Sequence, residues 1–176
     1  LQGITMDDIY ICNGVGEAVS MLMTALVGTG DEVLVPSPCY SLWSNNTYLG
    51  GGKPVHYRCD PKNDWNPDLA DIRSKITPRT KAILVINPNN PTGAVYSRET
   101  LLEIAQLARE HHLLLLADEI SDRLVLEDLP TDSLGALAPD LPCITFNGLS
   151  KSHIICGFRC GWMVFSGPDE ELSRIK

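Results

Sequence analysis

The sequence predicts an α/β domain built on a mostly parallel sheet with helices on both faces, and three observations carry that prediction. Strand-like and helix-like segments alternate along the whole chain, as in a series of β–α–β crossovers. Two strand candidates, Ala82-Ile-Leu-Val-Ile86 and Leu113-Leu-Leu-Leu-Ala117, are apolar without interruption, as central strands covered on both faces must be. The chain has 176 residues, 44% hydrophobic and 20% charged. That suffices for one sizeable core, burying roughly 70% of the surface of the unfolded chain.

Seven strands are predicted in order: Ile9–Cys12, Val33–Pro36, Pro54–Cys59, Lys81–Ile86, Leu113–Ala117, Cys143–Asn147 and Gly161–Phe165. In the third, Val55, Tyr57 and Cys59 alternate with His56 and Arg58, which suits a half-exposed edge. Between strands, Glu17–Val27 is apolar nearly all round and stops at Gly28 and Gly30, which predicts a buried helix. Asn66-Pro67 offers an N-cap and a first-turn proline for a helix carrying Leu69, Ile72 and Ile76 on one face. Ser97 caps a helix carrying Leu101, Ile104, Ala105 and Ala108, and His111-His112 at its end complement the helix dipole. No repeat, low-complexity tract or linker interrupts residues 1–176, which read as one domain. Leu1-Gln-Gly-Ile reads as the middle of a protein and Asp169–Lys176 as a helix just beginning, so a fragment of a longer chain is expected.

The net charge of −8 argues against nucleic-acid or anionic-membrane partners. No apolar run approaches the ~20 residues of a membrane span. The six cysteines form no Cys-x-x-Cys pair and have no histidines at zinc spacing, so no metal site is expected. They read as reduced thiols of a cytoplasmic protein.

Ligands of open α/β sheets bind beyond the carboxyl ends of the strands. Four polar segments fall there: Asn13-Gly-Val-Gly16, Asn87-Pro-Asn-Asn-Pro-Thr-Gly93, Asp118-Glu119 and Asn147-Gly-Leu-Ser-Lys151. The first is either a plain tight turn or a glycine-lined helix start that takes a phosphate. It lacks the third glycine of a dinucleotide fingerprint. Asp118-Glu119 fits the magnesium carboxylates of a nucleotide hydrolase only with a phosphate-loop motif, and the chain has none. The other role is an aspartate that keeps a pyridine nitrogen protonated, since a buried carboxylate needs a partner. Lys151, at the mouth of a buried strand, is placed to capture a cofactor aldehyde as a Schiff base, and Arg159 follows eight residues later. Tyr40 is either a core aromatic or a ring that lies against a flat cofactor. His153 reads as a packed or exposed histidine. Together these segments point to pyridoxal phosphate chemistry.

Asn87–Tyr96, Ala117-Asp-Glu-Ile120, Phe146–Lys151 and Gly157-Phe-Arg-Cys-Gly-Trp-Met163 stand in the order and spacing of a known family. Over essentially its whole length the chain resembles the large domain of fold-type I, class I/II aminotransferases, most closely the glutamate–pyruvate (alanine) branch. The resemblance implies a three-layer α/β/α sandwich of seven strands, the last antiparallel. It implies pyridoxal 5′-phosphate as cofactor, amino-acid and 2-oxo-acid substrates, and a homodimer at full length. It makes Lys151 the cofactor-linked base and Asp118 the partner of the ring nitrogen. Asn90 would bond the ring's phenolic oxygen, Tyr40 would stack on the ring, and Arg159, Ser150, Val15 and Gly16 would grip the phosphate. It also implies cis bonds at Ser37-Pro38 and Asn90-Pro91. Gly16 and Ser121 depart from the serine and tyrosine usual at those places, and Gly148 from a serine found in many relatives. A carbon–sulfur β-lyase on the same fold, or a domain that keeps the cofactor without turnover, are the rival readings. The family's carboxylate-binding arginine and partner-subunit tyrosine fall outside these residues, so the 176-residue piece alone is expected to be inactive.

Overall fold

The computed structural model describes residues 1, 3–124, 131–173 and 175. The predicted alternation folds into strands β1 (Ile9–Asn13), β2 (Glu32–Ser37), β3 (Lys53–Asp60), β4 (Asn66–Pro67), β5 (Thr80–Ile86), β6 (Leu114–Asp118), β7 (Cys143–Gly148) and β8 (Cys160–Ser166). Helices are α1 (Val15–Leu26), α2 (Leu42–Leu49), α3 (Leu69–Lys75), α4 (Arg98–His111), α5 (Leu134–Leu137), α6 (Leu149–Ser152) and α7 (Asp169–Leu172). The expected terminal helix therefore begins at Asp169, while Arg174 and Lys176 lie outside the described residues.

The sheet has eight strands in the order β1-β8-β7-β6-β5-β2-β3-β4. Neighbours from β7 through β3 pair in parallel, and β8 runs antiparallel to both β7 and β1. All seven predicted strands are present, and β8 is antiparallel as the resemblance implied. The eighth strand corrects the expectation at Asn66-Pro67. These residues pair antiparallel with Asp60 and Cys59 at the tip of β3 instead of opening a helix. Pairing with β3 holds both residues in extended chain, so the cap falls one residue beyond the proline. Asp68 takes it, its side chain accepting the Asp71 N–H at 3.0 Å.

Alternation along the strands divides the core into two layers. In β5, Ala82, Leu84 and Ile86 pack with Val19, Leu22 and Met23 of α1, whereas Ile83 and Val85 pack with Leu101, Ile104 and Ala108 of α4. Each fully buried aliphatic of this kind contributes roughly 1.5–3 kcal/mol. Ser97 caps α4 as expected, accepting from Thr100 N–H at 3.1 Å. His112 closes that helix in the left-handed conformation with φ 54°. Helix α1 is less enclosed than its composition predicted: Ala18, Val19, Leu22 and Met23 are buried, but Met21 is half exposed. Its outer face is polar where the Thr24 hydroxyl bonds back to the Ser20 carbonyl at 2.8 Å. All six cysteines are free.

Candidate functional site

Strand register brings the four polar segments to one edge of the sheet. Ile86 stands opposite Asp118, Asp118 opposite Phe146, Gly148 opposite Gly161, and Cys160 opposite Asn13. Because β8 runs against its neighbours, its amino end reaches the edge where they present their carboxyl ends. Arg159, immediately before β8, arrives there for that reason.

Arg159 and Gly14 define the first corner. Gly14 has φ 81° and ψ 163°, a region essentially confined to glycine. A Cβ there would lie 2.1 Å from Arg159 Nη2, so the bare glycine also makes room for the guanidinium. Arg159 Nη1 donates to the Cys156 carbonyl at 3.0 Å and Nη2 to the Asn13 carbonyl at 3.4 Å. Val15 and Gly16 open the 12-residue α1, where first-turn N–H groups have no intrahelical acceptor. Glu17 Oε2 braces the turn by accepting the Asn13 N–H at 2.6 Å. Beneath it, a Cβ on Gly161 would come within 2.5 Å of Val15 N, which explains a glycine in β8. A cation, a helix amino terminus and a glycine turn thus form a cradle for an anion.

Asp118 occupies the second corner, only 4% exposed. A carboxylate so buried needs a partner, and besides the ring nitrogen expected from the sequence the protein itself supplies Trp43, whose Nε1–H donates to Oδ2 at 2.7 Å. The Ile120 N–H reaches Oδ1 at 3.3 Å. Burial raises the Asp118 pKa, and these two donors oppose the rise. Trp43 lies on α2, a helix that Ser, Asn and Thr residues made hard to foresee. It is fully buried and meets Phe146 edge-on, ring centroids 5.0 Å apart. The signal available in the sequence was its position three residues after Tyr40. Tyr40 itself is 51% exposed at the turn into α2, its carbonyl accepting the Trp43 N–H at 3.4 Å.

Glu119 does not share the site with Asp118. Adjacent strand residues face opposite layers, and Glu119 Oε1 accepts the Leu134 N–H at 2.9 Å on the α5 side. Burial pushes its pKa up to about 7, with the charges of Asp122 and Asp118 adding to the effect. The two carboxylates therefore do not form a metal-holding pair. Among the described residues no group of three or more metal-ligating side chains comes together.

The Asn87–Gly93 loop is shaped by its own amides. Asn87 Oδ1 accepts from Tyr96 N–H at 2.9 Å, and Asn89 Oδ1 accepts from the Thr92 hydroxyl at 2.9 Å. Asn90, between them and Pro91, is exposed. The bonds Ser37-Pro38 and Asn90-Pro91 are cis, as is Asn87-Pro88, which was not expected. Ser150 and Lys151 lie on the short α6 directly after β7, Ser150 half-buried and Lys151 exposed. Asn147 ties this segment to the loop after β6, its Nδ2 donating to Asp122 Oδ2 at 3.0 Å. Asp122 was not foreseen as part of this edge. Nor was the Cys156 thiol, which donates to the Ser150 carbonyl at 3.2 Å.

A mostly parallel sheet with a lysine, an aspartate, an arginine and a helix amino terminus gathered at one edge is the architecture of a fold-type I large domain. Residues 3–173 match the family of class I and II aminotransferases, and the chain belongs to that family. It is 56% identical over 168 residues to the glutamate-pyruvate aminotransferase AlaA of Escherichia coli K12, covering 96% of this chain and 42% of that protein. It is 55% identical over 170 residues to the alanine aminotransferase of Mycobacterium tuberculosis H37Rv, covering 97% and 40% respectively. The crystal structure of an aminotransferase from Escherichia coli superposes with a TM-score of 0.97 at 54% identity, over 99% of this chain and 43% of that one. The alanine aminotransferase of Pyrococcus furiosus gives 0.93 at 44% identity, over 98% and 44%. The chain thus spans about two fifths of the length of these relatives. Among the described residues no helix is long and apolar enough to cross a membrane.

Proposed function

We propose that the protein to which this chain belongs binds pyridoxal 5′-phosphate at Lys151 and passes an amino group from an amino acid such as alanine or glutamate to a 2-oxo acid. The observation that carries the reading is the Arg159 guanidinium lying over Gly14 at the start of α1, on the same sheet edge as Asp118 and Lys151. When bound, the cofactor supplies an electron-accepting ring that carries the amino group between substrates.

The residues present fit that group. The cradle of Arg159, Val15 N–H and Gly16 N–H suits a phosphate dianion, with the Ser150 hydroxyl as a further donor. Asp118 is a buried carboxylate whose Oδ1, among the described residues, takes a long bond from Ile120, which leaves acceptor capacity for a cationic ring N–H. Asn90 offers an amide to the phenolic oxygen, and the exposed Tyr40 offers a ring face. Lys151 Nζ would hold the cofactor aldehyde and then move the proton at the substrate Cα, as a positioned general base does. The likeness to an alanine aminotransferase and a glutamate-pyruvate aminotransferase supports alanine, glutamate and pyruvate as the substrate class. Six free thiols suit a cytoplasmic enzyme, and by family likeness the full-length protein would be a homodimer.

Borohydride reduction of the protein loaded with pyridoxal phosphate, followed by peptide mapping, is expected to place the label on Lys151 and to find none in Lys151→Ala. A label elsewhere overturns the assignment. Transfer of the amino group of alanine to 2-oxoglutarate, read as pyruvate and glutamate formed in equal amounts, then tests turnover in the full-length protein. Pyruvate released from cystathionine with no oxo acid present would make it a lyase instead.

A further inference from the structure

The two oxygens of Asp118 are held unequally. Oδ2 takes the indole N–H of Trp43 at 2.7 Å, whereas among the described residues Oδ1 takes the Ile120 backbone N–H at the longer distance of 3.3 Å. Trp43 is held in place: it has no solvent exposure, and its ring stands at 86° to Phe146. Its helix is tied to α1 by the Ser20 hydroxyl donating to Asn46 Oδ1 at 2.6 Å. An indole N–H is a donor only and keeps its proton at every accessible pH, so the contact favours the carboxylate anion, the stronger acceptor, over the neutral acid.

We infer that Trp43 is a positioning residue for the ring-nitrogen contact: its N–H anchors Oδ2 of Asp118 in the charged form and leaves Oδ1 as the oxygen that meets the ring. This rests on the reading that the site holds pyridoxal phosphate. Without the indole, a carboxyl so deeply buried drifts toward its neutral acid, which has no charge to keep a ring nitrogen protonated. Of the groups around Asp118, Ile86 on β5 and Phe146 on β7 stand opposite it and do not titrate. Immediately after β6, Glu119 does titrate, and the Asp118 charge adds to the burial that raises its pKa. The Trp43 donor therefore acts against the burial that raises the Asp118 pKa.

Trp43→Phe keeps an aromatic ring against Phe146 and deletes the donor. In protein carrying 13Cγ-labelled aspartate, with Asp118→Asn to assign the resonance, the Asp118 midpoint is expected to rise by about one to two pH units in Trp43→Phe. This measurement needs no cofactor. With 15N-labelled pyridoxal phosphate, at a pH between the two midpoints, the ring nitrogen is expected to be protonated in the native protein and unprotonated in Trp43→Phe. Trp43→His restores a ring N–H and should bring the midpoint back toward the native value, which packing loss alone would not do. An Asp118 midpoint unchanged in Trp43→Phe, or raised equally by both substitutions, overturns the inference. Failure of the native protein to bind pyridoxal phosphate overturns the cofactor reading instead, and the carboxyl titration then still decides what Trp43 does to Asp118.

Discussion

Replacing Gly14 by alanine separates two consequences that the structure assigns to different atoms. The backbone there stands at φ 81° and ψ 163°, so any side chain costs about 1–3 kcal/mol of folding stability. The added methyl would also lie 2.1 Å from Arg159 Nη2 and 2.8 Å from Arg159 Cζ. These atoms end a flexible side chain that has moderate bonds to Asn13 and Cys156, so the arginine yields and little further stability is lost. What is lost is the grip on the anion. A charge-assisted bond is worth roughly 1.5–3 kcal/mol, or about 10- to 150-fold in affinity. The assay pairs urea unfolding with titration of pyridoxal phosphate into the native protein, Gly14→Ala, Arg159→Ala and the double variant. With Arg159 already absent, Gly14→Ala should weaken binding little further, because the contact it disrupts is gone. Native affinity in Gly14→Ala, or an equal loss with and without Arg159, would refute the idea that the glycine exists to seat the guanidinium.

Two serines should behave oppositely. A Cβ on Gly16 meets nothing within 4 Å, so Gly16→Ser is expected to fold normally and to strengthen phosphate binding by up to about tenfold, near the lower end of one charge-assisted bond. A Cβ on Gly148 would lie 2.8 Å from the Cys160 carbonyl and 3.0 Å from Gly161 Cα, both backbone. Gly148→Ser should therefore lower stability by about 1–3 kcal/mol, and a stable variant with tighter binding would show that β7 and β8 separate more easily than this packing implies. Glu119 makes stability depend on pH: its native pKa of about 7 exceeds its ordinary 4.5. The folded state binds more protons between those values, and stability falls as pH rises across that window, by up to about 3 kcal/mol. Glu119→Gln should flatten that slope in denaturation curves taken from pH 5 to 8, and an unchanged slope would assign it to other groups.

The strands were legible because β5 and β6 are uninterrupted apolar runs and β3 alternates cleanly, patterns with few competing explanations. Lys151, Arg159, Asp118 and the Gly14 turn could be grouped because each follows or precedes such a strand. Trp43 could not, since its partner Asp118 lies 75 residues away and Trp43 sits on a helix of weak helix formers. Asn66-Pro67 misled because the same dipeptide serves as a helix opening or as extended chain. Pairing with Cys59 and Asp60, a tertiary fact, made the choice. The separation of Glu119 from Asp118 was implicit in the two-residue period of a strand, but the acidic pair read more naturally as a unit.

The reversed strand β8 has a consequence for how the chain assembles. Among the described residues it is the strand that pairs with β1, so β1 has no hydrogen-bonding partner there until β8 is in place. Asn13 and Arg159, which close the anion cradle, lie 146 residues apart. During synthesis at roughly 5–20 residues per second, the segment around β1 waits on the order of ten seconds with Ile9 and Ile11 unpaired, while β2 through β7 are able to form a nucleus without it. Such distant contacts form late and slowly. The phosphate corner is then the last part of the sheet edge to be built, and a chain that stops short of β8 loses its opening strand as well as its arginine.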